Sequence, residues 1–238
     1  MNFLNSTGGL IYHIRAKRYT SLWSAHRSAV QSFLENWLID SDEILLIGPS
    51  GGYSLPLSWL RSFKRIIAIE PDPLARMIFQ SRTGLRPEYL KLKLDLENPD
   101  PVIQSFDRAV PILFCNILGQ LPVKNEYLAI KNLNTLLEGR SYASYHDVLS
   151  GKGIQVRVPT QSNSKKKSVN ELRAWIKPED SLVTREKIEL NQHQAYDWFQ
   201  QAVTNTFEQK FTYWEWAITP SQTQLIEGVS YLQEGIKK

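Results

Sequence analysis

The sequence of 238 residues contains one cysteine, Cys115, two methionines and four histidines. A single cysteine excludes a disulfide within the chain. His13, His26, His146 and His193 are scattered without the close spacing of a zinc site, so no metal is expected. No run approaches the roughly 18 uninterrupted apolar residues of a membrane-spanning helix. The opening stretch "MNFLNSTGGLIYHIRAKRYTS" lacks a charged segment followed by a long apolar core, so it does not read as a secretory signal. Internal repeats and low-complexity segments are missing as well. These absences lead to the expectation of a soluble, cytoplasmic protein that makes no membrane contact.

Hydrophobic residues make up 42% of the chain, and seven Trp, nine Phe and ten Tyr suffice for a sizeable core. The net charge of +4 is too small to require a polyanionic partner. The densest basic run, Lys165–Lys167, is flanked by "QSNS" and "SVN" and reads as a solvated loop. Nucleic-acid binding through that run and the N-terminal "RAKR" is carried as a reading, but it is not favoured. Cys115, inside "PILFCNILG", reads as a small buried apolar side chain.

Residues 21–39 place Leu22, Val30, Phe33, Leu34, Trp37 and Leu38 at mostly helical intervals. Residues 1–42 are therefore expected to form an N-terminal helical extension. "EILLIG" and "KRIIAIE" are short apolar runs, as expected for strands buried on both faces of a parallel sheet. Between them a helix is expected over about 54–62. "PDPLARMIFQSR" reads as a helix, "EYLKLKLD" as a third strand and "DPVIQSF" as a short helix. "AVPILFCN" reads as a fourth strand, "NEYLAIKNLNTLLEG" as an amphipathic helix and "SYASYHDVLSG" as a fifth strand. Strands alternating with helices imply βαβ units and a parallel sheet.

Residues 151–180 are polar and basic and read as an inserted loop. "NQHQAYDWFQQAVTNTF" reads as a further helix, and "KFTYWEWAITP" with "TQLIEGVSYL" as an antiparallel pair. Tyr213, Trp214 and Trp216 are expected to pack in and beside that pair.

Candidate binding residues cluster at strand ends, where open α/β sheets bind ligands. They are Gly48, Ser50, Gly51 and Gly52 after the first strand, Glu70 after the second, Asp95 and Leu96 after the third, and Asn116 after the fourth. A glycine turn allows main chain to approach a ligand closely, and a strand-end carboxylate can accept two hydroxyls. Each also has a plainer reading: a tight turn, a helix-capping acid or an Asx turn.

Five parallel-type units followed by an antiparallel pair, with this glycine turn and Glu70, resemble the class I S-adenosylmethionine-dependent methyltransferases. The resemblance runs over about 21–231 and is clearest in 43–120. It implies a three-layer αβα sandwich in which residues 43–238 build a seven-stranded, mostly parallel sheet ending in an antiparallel strand pair. It also implies S-adenosylmethionine as cofactor, with its ribose on Glu70, its adenine amino group at Asp95-Leu96 and the acceptor meeting it near Asn116. The implied activity is methyl transfer to an unidentified small molecule or protein.

The sequence departs from the family pattern at Leu46, where an acid is common, and at Ser50, in place of a central glycine. It also lacks an Asn/Asp-Pro-Pro-aromatic box after the fourth strand. These departures leave open a methyltransferase-like protein that binds or scaffolds without catalysis. A nicotinamide-dependent oxidoreductase is a third reading, since glycines and a strand-end acid also suit a dinucleotide. In-line methyl transfer needs orientation and water exclusion more than a nucleophile. Should a base assist, His146-Asp147 is the pair singled out for testing; its plainer reading is a hydrogen-bonded histidine at a strand end. The oligomeric state is left open.

Overall fold

The computed structural model describes residues 9–92, 94–159, 165–179, 190–193, 198–199 and 209–233. Helices α1 (Gly9–Arg18) and α2 (Ser24–Asn36) precede strand β1 (Glu43–Ile47). There follow α3 (Leu57–Leu60), β2 (Arg65–Ile69), α4 (Pro73–Thr83), β3 (Glu88–Leu90), α5 (Pro101–Gln104) and β4 (Ile112–Cys115). A 3-10 turn at Leu118–Gln120 leads to α6 (Glu126–Leu137) and the long strand β5 (Tyr142–Lys152). The remainder comprises β6 (Ile154–Val156), α7 (Val169–Ala174), β7 (Ile176–Pro178), β8 (Leu190–Gln192), β9 (Lys210–Thr219) and β10 (Gln222–Tyr231).

Seven strands lie in the order β3-β2-β1-β4-β5-β10-β9, with β8 attached to β5 beyond the end of β4. Strands β1 to β5 pair in parallel, and β10 runs antiparallel to both β5 and β9. The sheet is thus mostly parallel and closes in an antiparallel pair, as the resemblance implied.

Strand alternation divides the core into two layers. Leu45, Ile47, Ile67, Ile69, Ile112 and Phe114 meet α5 and α6 on one face. Ile44, Leu46, Ile66, Ala68 and Leu113 meet α1, α2, α3 and Phe79 of α4 on the other. Helix starts follow their caps: Asp72 accepts from the Leu74 N–H at 2.8 Å, Asp100 from Val102 at 2.9 Å and Asn125 from Leu128 at 3.1 Å.

Several elements differ from the sequence reading. The third strand pairs only over Glu88–Leu90, because Leu94 turns inward to the core. The helix expected over 54–62 shrinks to Leu57–Leu60, since Pro56 holds extended backbone at its N-cap. Where a solvated loop was expected, the described part of 151–180 carries the β6–β7 pair and α7, whose capping box joins Ser168 and Glu171. Ile154, Val156, Leu172 and Ile176 sink from it into the core. Of the helix expected over 191–207, residues 191 and 192 belong to β8 and 194–197 and 200–207 lie outside the described residues.

Trp214 and Trp216 are buried beneath α2, where His26 stacks on Trp216 at 4.1 Å and accepts from the Trp214 indole N–H at 3.0 Å. The same imidazole meets Ser54 Oγ at 2.9 Å. Burial pushes its pKa down to about 3.

Candidate functional site

Strand order reverses between β1 and β4, and the crevice at such a switch point is where open α/β sheets take ligands. A cavity of about 200 Å³ occupies this place. Gly48 and Ser50 from the turn after β1, Glu70 after β2 and Asn116 after β4 all line it. Four residues proposed from three strand ends therefore line one cavity.

The turn is held by its own main chain. Gly48 has φ +66 and donates to the Ile69 carbonyl at 2.9 Å, and Gly52 has φ +67 and donates to Pro49 at 2.9 Å. A Cβ at Gly48 would stand 2.9 Å from the Ile117 Cβ, and one at Gly52 would stand 2.8 Å from the Phe79 ring. Gly51 is equally enclosed, by Tyr53 and Ile78. The glycines are thus required by backbone sign and by neighbouring side chains, whereas the sequence had suggested clearance for a ligand. Gly51 and Gly52 do not line the cavity. Ser50, at the central position, adopts φ +50 despite its side chain.

Glu70 is 6% exposed. Its Oε2 accepts from the Ser50 N–H at 2.8 Å and its Oε1 from the Asp72 N–H at 3.1 Å. A carboxylate offers about four acceptor sites, so each oxygen keeps capacity for a ligand hydroxyl. Burial raises its pKa above the usual carboxylate value, against the lowering effect of the two backbone bonds.

Asp95 and Leu96 lie apart from this group. The Asp95 side chain is exposed, and its Oδ1 accepts from Glu97 and Asn98 N–H at 2.9 and 3.1 Å, an Asx-type turn. Leu96 is buried in the α5–α6 layer, and it is Leu94 that reaches the cavity. Asn116, at φ +52, lines the cavity; its side-chain oxygen accepts from the Asp147 N–H at 3.1 Å.

His146 and Asp147 sit in the middle of β5, not at its end, and successive strand residues face opposite sides. His146 is fully buried, with Nδ1 3.0 Å from Ser144 Oγ and Nε2 3.4 Å from Glu227. Asp147 instead meets Gln224 and His193, both at 3.1 Å. The two do not form a pair, and neither lines the cavity.

The Lys165–Lys167 run is also not wholly solvated. Lys166 reaches the buried Glu227 at 3.5 Å, and Lys167 meets Glu171 at 3.7 Å. Among the described residues no cluster of three metal-ligating side chains occurs, and no helix is long and apolar enough to cross a membrane.

Sequence reasoning missed the other walls. Gly9 and Tyr12 of α1 close the cavity from one side, Ile117, Gln120 and Leu121 from another, and Asp72 sits at the rim. "EPDP" held a signal for Asp72, an N-cap acid before proline. Nothing local pointed to Tyr12. Cys115 also faces the cavity at 7% exposure, and burial pushes its thiol pKa up.

No protein-family profile matches the chain, and no curated protein does. Among solved structures it is similar to magnesium protoporphyrin IX methyltransferase from Synechocystis with bound S-adenosylmethionine. That match has 10% identity and a TM-score of 0.46, over 93% of this chain and 85% of the other. It is similar also to the N-methyltransferase NodS from Bradyrhizobium japonicum, with 13% identity and a TM-score of 0.47, over 88% and 96% of the two chains. An S-adenosylmethionine-dependent methyltransferase from Clostridium acetobutylicum matches at 11% identity and a TM-score of 0.42, over 91% and 98%.

Proposed function

We propose that the chain is an S-adenosylmethionine-dependent methyltransferase acting on an acceptor still to be identified. The observation that supports it most is Glu70, a buried strand-end carboxylate on the wall of a switch-point cavity, with acceptor capacity beyond its two backbone bonds.

The residues present fit the cofactor in character. Glu70 would take the ribose hydroxyls. The main chain around Gly48 and Ser50, together with Asn116, would take the amino-acid end. Ile47, Ile69 and Leu94 supply apolar wall. Asp95, which lies outside the cavity lining with one oxygen held by its turn, would have to approach to take the adenine amino group. Room is the tighter condition: about 200 Å³ is below the roughly 300 Å³ at which ligand sites usually begin. Binding therefore requires Tyr12 of α1 or the Ile117–Leu121 segment to give way.

The bound cofactor would supply a methyl group on a cationic sulfur, open to in-line attack. What this chain would contribute is position and exclusion of water: Glu70 fixes the sugar, Asn116 marks the meeting point, and Tyr12 covers the cavity. Of the two residues read as a base, His146 is enclosed by Glu227 and Phe199, and Asp147 bonds Asn116 through its main-chain N–H while its carboxylate meets Gln224 and His193.

A non-catalytic binding protein is the second reading, and the small cavity favours it. Titration calorimetry with S-adenosylhomocysteine tests the first step; saturable binding is expected, and no heat at millimolar ligand would overturn the methyltransferase and leave a scaffold without cofactor. Transfer of labelled methyl groups into cell extract separates them: incorporation supports the enzyme, and binding without incorporation supports the second reading.

A further inference from the structure

Helix α1 is a wall shared by two cavities. Gly9 and Tyr12 face the first, while His13, Ala16 and Lys17 face a second of about 600 Å³, which also reaches Trp23 and Arg27, Tyr53 in the glycine turn, and Arg82 on α4. Its size falls within the usual range for a small-molecule site.

The charge in this second cavity is one-sided. Lys17, Arg27 and Arg82 all line it, and no acidic residue does. Among the described residues none of the three is ion-paired with a carboxylate. Arg65, by contrast, reaches both Glu43 and Glu88. Arg82 lies over the Tyr53 ring at 4.4 Å and donates one N–H to the Gly51 carbonyl at 2.8 Å, which leaves most of its donors free for another acceptor. Partial burial, and then the like charge of Arg27, lower the pKa of the Arg82 guanidinium. The Trp23 N–H is taken by the Ile218 carbonyl at 3.0 Å, and its fully buried ring backs the cavity wall behind Tyr53.

A cluster of cations around an aromatic recess attracts a counter-charge attached to an apolar body. We propose that this cavity binds a small molecule bearing a phosphate or carboxylate group on an aromatic frame. Lys17, Arg27 and Arg82 hold the anion, and Tyr53 and Ile78 hold the frame. Because the cations line a recess, a compact ligand is favoured over a polymer. Arg15 and Arg18, which would widen a polyanion track, line a different recess beside Pro220. The site is independent of the methyltransferase reading.

Calorimetric titration of the full chain with phenyl phosphate, benzoate and inorganic phosphate, at ionic strength fixed with chloride, tests this. An aromatic anion is expected to bind saturably and more tightly than inorganic phosphate. A preference between phenyl phosphate and benzoate tells which acidic group the site takes. Arg27→Glu is expected to weaken binding at least about tenfold, and Lys17→Glu, on an exposed turn of α1, by a smaller factor. If Arg27→Glu does not fold, the Lys17→Glu result decides. Three outcomes overturn the proposal: no saturable binding by either aromatic anion, affinity unchanged in the deciding variant, or binding of heparin alone that Arg15→Ala and Arg18→Ala abolish.

Discussion

Strands β1, β2 and β4 bury only apolar side chains from Ile44 to Ile47, Ile66 to Ile69 and Ile112 to Cys115, whereas β5 and β10 enclose Ser144, His146, Asp147, Gln224 and Glu227 within the same sheet. The first group lies in parallel pairing with helices on both faces, where an unpartnered polar side chain would be costly. In the second group β5 and β10 pair antiparallel, and His146 and Glu227 stand opposite one another in register. Glu227 stands opposite His146 on β5 and Tyr213 on β9, accepts from the Tyr213 hydroxyl at 2.6 Å, and is reached from the insertion by Lys166. One half of the sheet thus buries apolar side chains alone, with the Arg65–Glu43 and Arg65–Glu88 ion pairs at its strand starts. The other adds a charged cross-strand row that ties the β6–β7 segment to it, and it carries an extra residue where β5 slips against Leu225 and Ile226.

Breaking the charged row gives the largest expected effect. Glu227→Ala leaves Lys166 and His146 facing a buried void, and a loss of about 3–5 kcal/mol is expected from urea unfolding. If Leu45→Ala in the apolar half costs clearly more, the row is not what holds this half. Next comes the cavity, at the β1–β4 switch point within the apolar half. Glu70→Ala should weaken S-adenosylhomocysteine binding about thirtyfold, on the order of 2 kcal/mol, by calorimetry. Since the pKa of Glu70 is raised, its ionised form is lost on acidification before an ordinary glutamate's would be, so affinity should begin to fall above pH 4.5.

His26 sharpens the comparison from the other face of the sheet. Its unfolded form takes up a proton near pH 6.5 and its folded form only near about 3. Its contribution is therefore full above pH 6.5 and is lost as pH falls toward 3, by about 1.4 kcal/mol per unit. His26→Gln should flatten that slope in pH-dependent unfolding midpoints. The smallest effect is expected at Ser50→Gly, where relief of φ +50 should change the melting free energy by less than about 1 kcal/mol, read by calorimetry.

The apolar half was legible because its strands are uninterrupted runs bounded by glycine, proline or acid. The polar half was only partly so. "SYASYHDVLSG" gave a strand, but nothing local told that His146 and Asp147 would be inside it with different partners, since those partners come from Glu227, Gln224 and His193, far along the chain. At the cavity, the strand-end rule found Gly48, Ser50, Glu70 and Asn116. It missed Tyr12, whose place depends on how α1 lies across the sheet. It did not foresee that Ile117 and Phe79 would also stand where a Cβ at Gly48 and Gly52 would go. The basic recess was illegible for the same cause: Lys17, Arg27 and Arg82 meet only through packing of three separate helices.

Cys115 gives the protein a clock. Its thiol is buried at the crevice wall, is the sole one in the chain, and ionises reluctantly. Alkylation will thus proceed only when the crevice opens to reagent, with no other thiol to compete. Because such a thiol reacts slowly, the alkylation rate of the unmodified polypeptide follows the fraction of time the entrance stands open, and any occupant that seats there should slow it.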